Sequence, residues 1–122
     1  MALETISVVP KCNYANIDNS VGTVSVNRAV STLMCTTDID SKRFSTVHRQ
    51  RIEQVIEKER AKHSETSSVL AVCRAGMKSY GLVRCEMTVG FESESDLRKK
   101  FNEYAKFTIG LILALDELAA EL

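Results

Sequence analysis

The sequence predicts an α+β fold: an antiparallel sheet begun by an N-terminal hairpin and followed by C-terminal helices. Three observations predict it. Residues 82–91, LVRCEMTVGF, set Val83, Cys85, Met87, Val89 and Phe91 on one side and Arg84, Glu86 and Thr88 on the other, the period-two pattern of a half-buried strand. Leu97, Phe101, Tyr104, Thr108, Leu111, Leu115, Leu118 and Leu122 recur at spacings of three and four, the seam of an amphipathic helix. Near the start, residues 3–9 and 21–27 flank a polar loop and read as the two strands of a hairpin. With 122 residues the chain is one domain, 1–122, long enough for a single core and too short for two.

Taken in order, the first strand ends at Pro10, the only proline, which has no N–H to give a ladder. KCNYANIDNS reads as a loop. VGTVSVN then places Val24 and Val26 on one face with Thr23 and Ser25 on the other. RAVSTLMCTT, residues 28–37, is rich in β-branched residues and predicts a third strand, with DIDSK as the turn after it.

Residues 43–63, RFSTVHRQRIEQVIEKERAKH, fit two states. As a helix, Val47 or His48, Ile52, Val55 and Ile56 form an apolar stripe, and the abundant Glu, Gln, Lys, Arg and Ala favour that state. As a strand, Phe44, Thr46, His48, Gln50, Ile52, Gln54 and Ile56 share one side, while Arg43, Arg49, Arg51, Glu53 and Glu57 share the other. The residues alone leave both open.

VLAVCRA reads as a strand, GMKSYG as a loop, and the alternating segment at 82–91 as the return strand of a hairpin. The closing helix opens at Ser93, with Asp96 three residues on as in a capping box, and Glu94 and Asp96 suit its positive end. Gly110 offers a bend that would divide it into a longer and a shorter helix. Phe107, Ile109, Ile112 and Leu113 make its middle apolar on all sides. Either the chain's own sheet wraps it or a second subunit does, and we take the second, a homodimer.

The charges bound the function. Sixteen basic and sixteen acidic residues cancel, so a strongly basic nucleic-acid module is excluded and any such site must be local. Cys12, Cys35, Cys73 and Cys85 contain no C-x-x-C pair, and His48 and His63 lie far apart in sequence, so no metal site is expected. There is no P-loop, no G-x-G-x-x-G and no H-E-x-x-H, so neither a cofactor nor an enzymatic reaction is expected. The N-terminus lacks a signal-peptide pattern, and FTIGLILAL at 107–115 falls short of the ~20 residues a membrane span needs. The expectation is a soluble intracellular product with reduced thiols.

CRAGMKSYGLVRC, residues 73–85, has mirrored ends. A hairpin loop centred on Ser79 pairs Cys73 with Cys85 on the core side and Arg74 with Arg84 on the exposed side. The cysteines then act as small buried hydrophobes, with a disulfide as the minority alternative. The facing arginines need an anion between them: Glu86 along the same face, or a phosphate backbone.

Two stretches resemble the coat proteins of single-stranded RNA bacteriophages, the leviviruses. ALETISV looks like that family's opening strand, and CEMTVGFESESDLRKKFNEYAKFTIGLI looks like its last strand, polar helix cap and first helix. RIEQVIEKE, RAKHSET and SSVLAVCRA are similar in layout only, standing where the family has two central strands and their turn. The resemblance implies an interlocked dimer whose sheets join edge to edge and whose helices cross over the partner. It implies assembly into an icosahedral shell in the host bacterial cytoplasm, with genomic RNA on the sheet face opposite the helices. In many members an RNA hairpin bound on that face also represses translation.

Carried onto this chain, the resemblance tips residues 43–63 toward strand. It makes Arg49, Arg51, Arg74 and Arg84 phosphate contacts, with Glu86 as a positioning partner. It makes Phe101, Tyr104, Phe107, Leu111, Ile112 and Leu115 dimer contacts, and Gly76, Met77, Lys78, Ser79 and Tyr80 a loop between dimers. The chain departs from the family in the shortness of that loop, in the helix-prone 43–63 segment, and in having Leu82 where the family stacks an aromatic on a base. The competing expectation is a small dimeric α+β regulatory or ligand-binding domain with a central helix at about 46–62.

Overall fold

The computed structural model describes residues 3–8 and 14–122. Pro10, the expected end of the first strand, and Cys12 lie outside them. The elements run β1 (Leu3–Val8), β2 (Asn19–Asn27), β3 (Thr32–Asp40), α1 (Arg49–His63), β4 (Cys73–Ser79), β5 (Leu82–Gly90) and α2 (Glu94–Ala120). The five strands form one antiparallel sheet in the order β1-β2-β3-β5-β4. An α+β fold with an N-terminal hairpin, an antiparallel sheet and a C-terminal helix is therefore what the chain forms.

Strands β1, β2 and β3 are a meander. The chain then leaves through α1 and returns as β4 at the far edge, and β5 fills the gap between β3 and β4. The β2–β3 turn begins with the Asn27 carboxamide oxygen accepting from Ala29 N–H at 3.1 Å and passes through Ser31 at φ 50°. The β4–β5 turn passes through Gly81 at φ 81°, a left-handed conformation that glycine adopts without steric cost. Gly81 also lies close to the 41–42 bend, its carbonyl accepting from Ser41 N–H at 2.9 Å.

One face of the sheet makes the core. Leu33, Cys35 and Ile39 of β3, Val83, Cys85 and Met87 of β5, and Cys73 and Met77 of β4 are buried. Ile52 and Ile56 of α1 meet them with Leu97, Tyr104, Phe107, Leu111, Ile112, Leu115 and Leu118 of α2. The Tyr104 hydroxyl donates to the Cys85 carbonyl at 3.0 Å and lies 2.8 Å from the Thr37 hydroxyl, pinning α2 over the middle of the sheet. Burial pushes this phenol far above its ordinary range.

The helices pack against each other in opposite directions. Arg51, near the start of α1, pairs with Glu121 just past the end of α2 at 2.8 Å. Glu59, near the end of α1, abuts Gly110 in the middle of α2. A Cβ at Gly110 would overlap the Glu59 carboxylate, lying 2.9 Å from its carboxyl carbon. Gly110 is therefore a point of close approach between the helices, and it does not divide α2 into two helices, since α2 runs unbroken for 27 residues. Ser93 caps α2 as its sequence predicts, its hydroxyl accepting from Asp96 N–H at 3.0 Å, while the Asp96 carboxylate accepts from Glu92 N–H at 2.9 Å.

Three further expectations are corrected. Residues 49–63 are a helix, so the strand to which the family resemblance tipped the 43–63 segment is not formed. Its intrinsic propensity wins because Ile52 and Ile56, one turn apart, both reach the core, with Val55 half-buried beside them, while Glu53 and Gln54 face water. Only the end of DIDSK turns: Asp38, Ile39 and Asp40 continue β3, with Ile39 buried, and the turn starts at Ser41, whose carbonyl accepts from Phe44 N–H at 3.1 Å. Residues 28–31 are the β2–β3 turn, and the third strand starts at Thr32.

Candidate nucleic-acid interface

The helices cover one face of the sheet, and among the described residues no helix lies on the other, which is the bare face. On it stand Met34, Thr36, Asp38 and Asp40 from β3, Arg74, Gly76 and Lys78 from β4, and Arg84, Glu86 and Thr88 from β5, because alternate residues of a strand point to opposite faces. Among these residues three are cations and three are carboxylates. The cations collect at the β4 side, where Arg74, Lys78 and Arg84 line a hollow of 100 Å³ over Gly76.

The register between β4 and β5 corrects the pairing expected from sequence. Cys73 faces Met87, Arg74 faces Glu86, Ala75 faces Cys85 and Gly76 faces Arg84. The shift from the expected pairing is two residues, caused by a tighter turn at Tyr80 and Gly81 and an irregularity between Met77 and Ser79. An even shift keeps each side chain on its face. Both cysteines are therefore buried and both arginines outward, as expected, but the arginines do not oppose each other. Cys35, Cys73 and Cys85 are free thiols, and burial pushes them up to about 12, 11 and 12.

Each outward arginine has a carboxylate nearby. Arg84 makes a two-pronged contact with Asp38 of β3, its Nε donating at 2.6 Å and its Nη2 at 3.1 Å. That hydrogen bond and charge raise the guanidinium further above its ordinary range. Arg74 stands opposite Glu86 in register, and Glu86 is also 3.6 Å from Lys78 Nζ. Asp40 continues the acidic side of the face, its carboxyl raised by burial and by the charges of Asp38 and Asp18.

Arg49 and Arg51 do not join this surface. Both lie on α1, in the layer on the opposite side of the sheet. Arg49 Nη1 donates to the Met77 carbonyl at 3.3 Å, and Arg51 is held by Glu121. Gly76, Met77, Lys78 and Ser79 are strand residues of β4, and Met77 is buried, so only Tyr80 of the expected inter-dimer loop stands in the turn, 70% exposed. Tyr104, Phe107, Leu111, Ile112 and Leu115, expected at a dimer interface, are buried within the single chain, and Phe101 is half-buried. The apolar side chains that α2 leaves outward are Ile109 and Leu113, 53% and 49% exposed. Beside Ile109, an apolar cavity of 160 Å³ runs between α2 and β2, lined by Val24, Phe101, Ala105, Thr108 and Ile112 among others.

Two features of the site went unread in the sequence. Lys78, the third cation around Gly76, is hidden by placing residues 76–81 in a loop. Asp38, the partner of Arg84, is hidden by ending the third strand at Thr37, although the alternation Met34, Thr36, Asp38, Asp40 against Leu33, Cys35, Thr37, Ile39 carries the signal through residue 40. Among the described residues no group of three or more His, Cys, Asp or Glu side chains is placed to hold a metal ion, and no helix is long and apolar enough to cross a membrane. Comparison with protein-family models, with curated proteins and with solved structures returns no match.

Proposed function

We propose that this chain is a self-associating viral coat-type protein that holds single-stranded RNA by its phosphates on the bare face of the sheet. The observation that supports this most is the cluster of Arg74, Lys78 and Arg84 about Gly76, on the face opposite the helices. A glycine at the centre leaves the backbone approachable, and three flexible cations match a phosphodiester without selecting a base. The layout of hairpin, antiparallel sheet, last strand, serine-capped turn and C-terminal helix agrees with the coat-protein resemblance, and α1 is the departure from it. The exposed Ile109 and Leu113 of α2, beside the apolar cavity at β2, are the surface we assign to the dimer.

The test is electron microscopy of the purified protein with an assay for nuclease-protected RNA. Closed shells of uniform diameter containing RNA are the expected result. A cluster of three cations predicts a shallow salt dependence, with a slope of log K on log salt of about −2 for a single strand. Arg74→Ala with Arg84→Ala should flatten that slope and lower RNA content while the fold persists.

The helical state of residues 49–63 favours one other reading, the small dimeric α+β regulatory or ligand-binding domain with a central helix. A discrete dimer at every concentration, free of RNA, would select it.

A further inference from the structure

The sheet has two outer strands, β1 and β4. The outer strand of a sheet turns alternate N–H and C=O groups away from its neighbour, and such an edge accepts a further strand unless something covers it. Along β4 the cover is specific. The Met77 carbonyl accepts from Arg49 Nη1 at 3.3 Å, and the Cys73 carbonyl accepts from Arg60 Nη2 at 3.2 Å. Cys73 and Met77 are four residues apart and so share one orientation along the strand.

Arg60 also bonds the Leu70 carbonyl at 2.7 Å through Nη1 and lies over the Phe107 ring at 5.7 Å, so its guanidinium is fixed from three sides. Where β5 extends past the start of β4, the Gly90 carbonyl is taken by Lys100 Nζ at 2.8 Å. Cations thus cap this side of the sheet at three places. The side chains add a further barrier. A second copy of β4 pairing antiparallel about Gly76 would set Arg74 opposite Lys78 at both ends, and like charges directly opposite are destabilising.

We infer that α1 holds the outer edge of β4 closed to strand addition, through Arg60 on the Cys73 carbonyl and Arg49 on the Met77 carbonyl. Sheet-to-sheet association of this chain is thereby directed away from β4. This goes beyond the coat-type function and does not rest on it: the presence or absence of shells leaves the inference standing.

The test uses the natural complement of β4. A fluorescent peptide copying Leu82–Gly90, with Cys85→Ser, would, once the outer edge of β4 is opened, lie along it and place its glutamate against Arg74 as β5 does inside the chain. Anisotropy should show the intact protein binding it no better than a scrambled peptide, and the Arg49→Ala, Arg60→Ala double variant binding it at least ten-fold more tightly. Because Arg60 also supports Phe107, the double variant can fail to fold. Arg49→Ala alone, which removes one exposed side chain, should then show several-fold tighter binding and faster hydrogen exchange across β4. Folded variants that bind no more tightly than the parent would overturn the inference. So would an intact protein that already binds the peptide as tightly as its variants.

Discussion

The two faces of β5 are governed by different things. Val83, Cys85 and Met87 point inward, are at most 2% exposed and are surrounded by side chains of β3, β4 and α2. Arg84 and Glu86 point outward into polar company. For the inward set, parity along the strand is enough: any register that differs by two residues still buries them. For the outward set, register is decisive, since a shift of two replaces Arg84 by Glu86 opposite Arg74. Burial is thus fixed by a local pattern, whereas the chemistry of the exposed face is fixed by turn geometry and by strands distant in sequence.

The inward face should yield the largest effect when broken. Phe107 is fully buried beneath Arg60 and lies edge-on to His63, with ring centroids 5.9 Å apart. Phe107→Ala should lower the unfolding free energy by about 3–5 kcal/mol, the usual range for deleting a buried aromatic ring. Urea denaturation followed by circular dichroism measures it. A loss below about 1 kcal/mol would mean that the site collapses around the deletion and that packing there is less specific than the structure indicates.

Next comes the contact between the helices. Gly110→Ala places a methyl group against the Glu59 carboxylate, which is buried and held by His63 at 2.8 Å. A cost of about 1–3 kcal/mol is expected from overpacking. Because the clash is with one side chain, Glu59→Ala in the same protein should recover part of it. A double-mutant cycle that shows simple additivity would place the strain elsewhere.

These elements differ in how far the sequence discloses them. The seam from Leu97 to Leu122 and the serine cap at Ser93 are local signals, and they specify α2 almost to the residue. Residues 43–63 carry an equally local signal, the helix propensity of their Glu, Gln, Lys and Arg. The likeness to coat proteins points the other way, in a stretch where only the layout is similar. Gly110 has the composition of a bend and the function of a contact, since its role depends on Glu59, which lies fifty-one positions earlier. The pairing of Arg84 with Asp38 is likewise non-local, set when β5 inserts beside β3 and not beside β4 alone. What was legible is what neighbours in sequence decide.

The buried thiols give a smaller effect and sharpen the same contrast. Desolvation raises Cys35 and Cys85 from 9.0 to about 12 and Cys73 to about 11. A raised folded-state value means that the folded chain holds these protons more tightly than the unfolded one. Their contribution is therefore fully present below about pH 9 and is lost as pH rises toward 11 to 12. Stability should fall along that limb, and at pH 8 iodoacetamide should modify these three positions only through the unfolded state. Rapid labelling of Cys73 in the folded protein would show that the β4 side of the core opens on its own.

The smallest stability effect should come from the outward face, and there it carries the most information. Asp38→Asn removes the carboxylate that engages Arg84 but keeps a side chain of the same shape. The pair is about one-third exposed on each side, and solvent screening leaves exposed pairs contributing little to stability, so unfolding should barely change. The freed guanidinium, however, would stand with Arg74 and Lys78 around Gly76 and lack its internal counter-charge. If phosphate is the intended partner of that cluster, single-stranded RNA should bind Asp38→Asn several-fold more tightly than the parent at moderate salt. The gain should vanish when Arg84→Ala is added. If RNA affinity is unchanged while Arg84 is free, then Asp38 is the partner for which Arg84 is placed, and the bare face is a solvated surface whose charges serve the sheet alone.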